Sequence, residues 1–243
     1  RWHNQGRPNL GLLLKWAGPP KNGDTYASRE SSTAEPPRLV IEHSPKSFRE
    51  QSSLELMTPP GVVITHYAAA SGVYVGSPTI AVLPDRTLLA AHDGFGPRHR
   101  FGRTYLFRSR DEGYTWARVS QIDGQGTSTL FVHGHDVYLL GLGERSVLLR
   151  RSRDAGRTWS QPHDESSGRL LSAGPYHTAP TPVTFHNGRL WRAMERVVPP
   201  GRWARDYHAF LLSAALDADL LQARNWSTSQ PRATRTQWLE GDF

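Results

Sequence analysis

The chain has 243 residues, a formal net charge of +7 and no cysteine, with 37% hydrophobic and 10% aromatic residues. That length can bury a sizeable core in one domain or two, and the missing thiols exclude disulfides and cysteine-ligated metal. No apolar run approaches the ~18 residues of a membrane-spanning helix, so no membrane partner is expected.

Arginine carries nearly all the positive charge; the only lysines are Lys15, Lys21 and Lys46. The arginines are spread through strands and turns and form no basic stripe, which argues against a nucleic-acid partner. An acidic sugar suits such a surface better.

Residues 1–58 are rich in Pro, Ser, Gly and Glu, with poor hydrophobic periodicity, as in Gly18-Pro19-Pro20 and Pro36-Pro37. They read as a largely disordered leader, with one short strand at Leu39-Val40-Ile41. Residues 10–14 are apolar but interrupted by Gly11, too short for the core of a signal peptide.

From Pro59 to the end at 243 the texture is all-β: short apolar runs separated by turn residues. Val62-Val63-Ile64 is expected as an entering strand. Three hairpins follow, turning at Pro84-Asp85-Arg86, at His133-Gly134-His135-Asp136 and at His186-Asn187-Gly188. Asn-Gly between apolar runs is a strong hairpin signal. His133 and His135 read as solvated turn residues. No further ligands stand at metal spacing beside them, so neither metal nor cofactor is expected.

After the first two hairpins the sequence repeats itself. Ser109-Arg110-Asp111-Glu112-Gly113-Tyr114-Thr115-Trp116 returns as Ser152-Arg153-Asp154-Ala155-Gly156-Arg157-Thr158-Trp159, from position 109 to position 152. Asp111 and Asp154 can accept hydrogen bonds from the amides of their own turns, and Gly113 and Gly156 supply a positive φ. Trp116 and Trp159 open the next strand and bury a large flat surface. A third copy is degraded to Ser213-Ala214-Ala215-Leu216-Asp217-Ala218-Asp219, with Trp226 as its tryptophan after a short helical stretch. Repeats at this spacing indicate an array of small sheets, here at about 75–120, 125–165 and 178–230, with Trp238 opening a fourth.

This pattern resembles the Asp-box, or BNR repeat, of the sialidase superfamily, and looks closest to bacterial exo-α-sialidase-like proteins. The resemblance spans roughly residues 72–243. It implies a β-propeller, six-bladed in that family, here incomplete with about three blades and the start of a fourth. It implies a structural role for Asp111, Gly113, Trp116, Asp154, Gly156 and Trp159. It also implies a glycoside hydrolase acting on a terminal, acidic sugar, secreted or periplasmic, and inactive as an incomplete ring. Further chain or association would supply the missing blades. Sialidases carry an Arg-Ile-Pro motif in the first strand, where this chain has Val75-Gly76-Ser77-Pro78.

The candidate chemistry lies in the loops after the second strand of each blade, because loops on a rigid scaffold carry sites. Asp93 stands where the superfamily has its proton donor, and Glu195 is the second carboxylate that glycoside hydrolysis commonly needs. His92 and His177 are alternative acid/base groups. Arg192, Arg98 and Arg100 could grip a sugar carboxylate, with Tyr176 lining the pocket. Plainer readings stand beside these: Asp93 capping a turn with Gly94, or Glu195 paired to Arg192. Two other functions fit the same residues: a non-catalytic carbohydrate-binding propeller, and a polysaccharide lyase relying on His and Tyr.

Overall fold

The apolar runs between Tyr74 and Thr228 become thirteen strands in three antiparallel sheets, the first two simple meanders and the third a meander with one further strand on its first edge. The computed structural model describes residues 61–99, 102–203 and 205–233. The expected leader, the strand at Leu39-Val40-Ile41, the fourth-blade start at Trp238 and Arg100 lie outside these residues.

The first sheet runs β1 (Tyr74–Val82), β2 (Leu88–Phe95), β3 (Arg103–Ser109), β4 (Ala117–Asp123). The second runs β5 (Gly126–His133), β6 (Asp136–Leu142), β7 (Val147–Ser152), β8 (Arg169–Leu171). In the third, β9 (Tyr176–His177) and β10 (Thr184–His186) both pair with β11 (Arg189–Val197), followed by β12 (Tyr207–Ala215) and β13 (Trp226–Thr228). Apart from β9, which shares β11 as its neighbour with β10, chain order is preserved across each sheet, as in consecutive propeller blades.

The first strands of the sheets stand side by side. Leu130 N–H in β5 donates to Thr79 Oγ1 in β1 at 3.0 Å, and Thr129 Oγ1 in β5 donates to the Thr181 carbonyl at 2.9 Å, just before β10. The sheets stack on either side of the middle one, so β6 is apolar on both faces. Val137 and Leu139 belong to a core shared with Leu89, Ala91 and Leu106 of the first sheet. Tyr138, Leu140 and Leu142 belong to a second core shared with Leu190, Met194, Phe210 and Leu212 of the third. A strand covered on both sides reads as a continuous apolar run rather than an alternation. The outer faces are different: Ile80 and Val82, which flank buried Ala81, are 57% and 63% exposed, and Leu211, between buried Phe210 and Leu212, is 44% exposed.

The two repeated corners form as the side-chain chemistry requires. Ser109 Oγ donates to Asp111 Oδ1 (2.7 Å) and accepts from Gly113 N–H (2.8 Å), while Thr115 N–H and Oγ1 donate to the two Asp111 oxygens at 2.9 and 2.6 Å. The second corner repeats each bond, from Ser152 to Asp154 (2.8 Å), Gly156 to Ser152 (2.9 Å) and Thr158 to Asp154 (2.9 and 2.7 Å). Each tryptophan then donates its indole N–H back to the glycine carbonyl, Trp116 to Gly113 and Trp159 to Gly156. In the third sheet Trp226 makes the related bond to the Leu220 carbonyl at 2.8 Å, although the Ser–Asp–Gly chemistry is lost.

Four expectations are corrected. Residues 62–64 form no strand, and Val62 and Val63 are half exposed. The outer strand of the second sheet is β8, not Trp159-Ser160-Gln161; that segment is tied beside β7 by Ser160 N–H donating to the Arg151 carbonyl. His133 is no solvated turn residue: its Nε2 is 2.8 Å from the Leu216 carbonyl and its ring stacks on Phe185. The short helical stretch reduces to a 3-10 turn at Ala223–Asn225.

Candidate functional site

All three first strands are broken at the same level. The register slips between Gly76 and Thr79 in β1 and between Gly126 and Thr129 in β5, with Ser77 and Thr127 at φ 52° and 49°. In the third sheet the gap between β9 and β10 does the same. Bulges free backbone groups from the ladder and are common beside sites.

The freed groups are taken up by buried polar side chains, and this decides the fate of two expected site residues. Asp93, on β2, is 2% exposed. Its Oδ2 accepts from the bulged Thr127 N–H and its Oδ1 from Thr104 Oγ1, both at 2.5 Å. Burial raises its pKa, against the opposing pull of the Thr104 and Thr127 hydrogen bonds. Asp93 therefore clamps the first sheet to the second, in place of the expected proton donor facing a substrate. Arg192, on β11, is 1% exposed. Its guanidinium donates to the Ala179 carbonyl, the Thr178 hydroxyl, and the carbonyl and hydroxyl of Thr181. It fills the gap between β9 and β10, so it is not free to grip a sugar carboxylate. Burial brings its pKa down to about 10.

The remaining expected residues divide. His92 is 5% exposed, stacked on Phe107 with centroids 5.4 Å apart and tilted against Tyr105 at 5.3 Å. Burial lowers its pKa, so a neutral ring sits in the first sheet and not at an open site. Tyr176 packs against the second core, 6.1 Å from Phe210, rather than lining a pocket. Arg98 is exposed, with Nη1 3.4 Å from the Ala70 carbonyl. Glu195 makes no pair with Arg192, because residues three apart on a strand face opposite sides.

Glu195 and His177 are brought together. They face each other across β9 and β11, and His177 Nδ1 lies 2.5 Å from Glu195 Oε2 with both side chains 36% exposed. Tyr207, at the start of β12, places its ring 4.7 Å from that of His177. Trp203 stands edge-on to Tyr207 at 6.4 Å and is 78% exposed. Sequence reading missed Tyr207 and Trp203; the only signal was two aromatics close to a strand start. A half-exposed carboxylate–imidazole pair can orient and exchange a proton, and the flanking rings offer a flat apolar wall.

No family model matches the chain, and no curated protein matches it. Among solved structures the chain is similar to an α-L-arabinanase of Penicillium chrysogenum complexed with arabinobiose (18% identity, TM-score 0.44). It is similar also to an α-L-arabinofuranosidase of Fusarium graminearum in complex with an iminosugar inhibitor (17%, TM-score 0.46). Each match covers 69% of this chain and 50% of the other, so the chain spans about half the length of these glycoside hydrolases. A Trypanosoma rangeli sialidase is similar at 14% identity and a TM-score of 0.41, covering 54% of this chain and 22% of the other.

Proposed function

We propose that this chain is part of a glycan-cleaving propeller whose acid/base group is Glu195, oriented by His177. The observation that carries the reading is the 2.5 Å contact between these side chains, half exposed and flanked by Tyr207 and Trp203. His177 Nδ1–H donates to Glu195 Oε2, which leaves Glu195 Oε1 to meet a glycosidic oxygen or a water. Trp203 and Tyr207 supply the surface against which a sugar ring stacks. The substrate is a terminal, acidic sugar, a preference that rests on the net charge of +7 and on exposed guanidinium groups such as Arg98. Cleavage is hydrolytic: Glu195, protonated on Oε1, gives that proton to the leaving oxygen as the glycosidic bond breaks, a water adds at the anomeric carbon, and the proton that water releases restores Glu195.

The nearness of His177 to Tyr207 favours one second reading, a β-eliminating lyase in which these two handle the protons. The experiment is product analysis with the whole protein on sialosides, α-arabinosides and polyuronates. Release of saturated sugar, lost in Glu195→Gln, supports hydrolysis. An unsaturated uronate absorbing in the near ultraviolet supports the lyase. Glycan binding without any product overturns both.

A further inference from the structure

A cavity lies apart from the His177–Glu195 pair, between β4 of the first sheet and the segment that follows the second corner. Its volume is about 310 Å³, and its lining includes Gln121, Asp123, Arg150, Arg157, Trp159 and Gln161. That is near the lower end of the ~300–1,000 Å³ of small-molecule sites. The walls are fixed. The Trp159 indole N–H is 3.1 Å from the Gly156 carbonyl and 3.3 Å from Ser120 Oγ, and Ser120 Oγ in turn donates to Gly156 at 2.6 Å.

The unusual member is Arg150. It is 6% exposed and held by four neutral acceptors: Gln125 Oε1 (3.0 Å), the Ser160 carbonyl (3.1 Å), Gln161 Oε1 (2.6 Å) and the Asp123 carbonyl (3.4 Å). A guanidinium has five N–H donors, so one remains. Asp123 offers Arg150 only its backbone; its carboxylate is 2.5 Å from Arg103. Among the described residues no carboxylate pairs with Arg150 or with Arg157, which is exposed on the cavity wall. A buried cation without a counter-charge is costly unless something supplies one.

We propose that this cavity binds an acidic sugar unit: its carboxylate completes Arg150 and Arg157, its ring lies along Trp159, and its hydroxyls meet the Gln121 and Gln161 amides. Two guanidinium groups suit a planar carboxylate, and an aromatic wall with side-chain amides suits a saccharide better than a bare ion. The site shares no residue with the proposed catalytic pair, so it stands or falls independently of cleavage.

Titration calorimetry of the whole protein with glucuronate, glucose and inorganic sulfate tests the proposal. Glucuronate should bind, glucose should bind at least about tenfold more weakly, and Arg157→Gln should weaken glucuronate by about tenfold with an unchanged Tm. The Arg157 backbone bond to Asp154 survives that change, so folding is not at issue. Arg150→Gln should abolish binding; if it unfolds the protein, Arg157→Gln alone decides. Glu195→Gln should leave binding unaltered. No glucuronate binding, equal binding of glucose, equal competition by sulfate, or indifference to Arg157→Gln would each overturn it.

Discussion

Asp93 and Thr127 are 34 residues apart in sequence, yet the carboxylate of one accepts the backbone N–H of the other at 2.5 Å. The contact exists because β5 bulges at Thr127 and so has an amide to spare, and because β2 turns Asp93 toward the neighbouring sheet. Asp93→Ala leaves that amide without its partner and the Thr104 hydroxyl with only the Gln125 carbonyl, and should cost about 1–3 kcal/mol. The shift in the denaturant midpoint measures it.

The same residue sets a pH dependence. Burial raises the folded pKa of Asp93 above its unfolded value. Its contribution to stability is therefore fully present below the unfolded value and lost as pH rises through the folded one. Asp93→Asn cannot ionise, so wild-type stability minus that of Asp93→Asn should fall as pH is raised from acid toward neutrality. A difference that grows with pH would contradict the burial seen here.

The exposed corners behave with the opposite sign. The Thr115 hydroxyl, then the Thr115 amide and the Ser109 hydroxyl, lower the Asp111 pKa from 3.8 to about 2. The stability this confers is present above the unfolded value and lost as pH falls through about 2. The Tm gap between wild type and Asp111→Asn should narrow as pH drops across that window.

Gly156 is constrained twice. Its φ is +82°, and an added Cβ would stand 2.8 Å from Leu89 Cδ1 in the neighbouring sheet. Gly134, at φ +61°, has nothing within 4 Å. Gly156→Ala should therefore cost more than Gly134→Ala, by about 1–3 kcal/mol of overpacking. Equal unfolding midpoints for the two variants would show that the corner does not press on Leu89.

How much of this was legible follows from where the determining contacts lie. The two corners are local: Ser, Asp, Gly, Thr and Trp satisfy one another within eight residues, so sequence alone reveals them and their spacing reveals the sheets. Arg192 was misread although its neighbours carried the information. Leu190 and Met194 share its strand face, and a residue between them belongs to the core side. The outer strand of the second sheet escaped because Pro162, with no N–H, ends the segment after Trp159, and β8 is only three residues long. The His177–Glu195 contact depends on a two-residue strand pairing across the sheet, and Arg150 and Gln161 meet only when the chain folds back beside β7. Neither leaves a local pattern.

The most direct measurement is product release by Glu195→Gln against wild type on the best glycan substrate, with Tm recorded for both. Loss of a positioned acid/base group should lower the rate by about 10²–10⁴-fold while Tm stays within the scatter of a surface substitution. A Glu195→Gln protein that folds as wild type and cleaves at the wild-type rate would contradict the account.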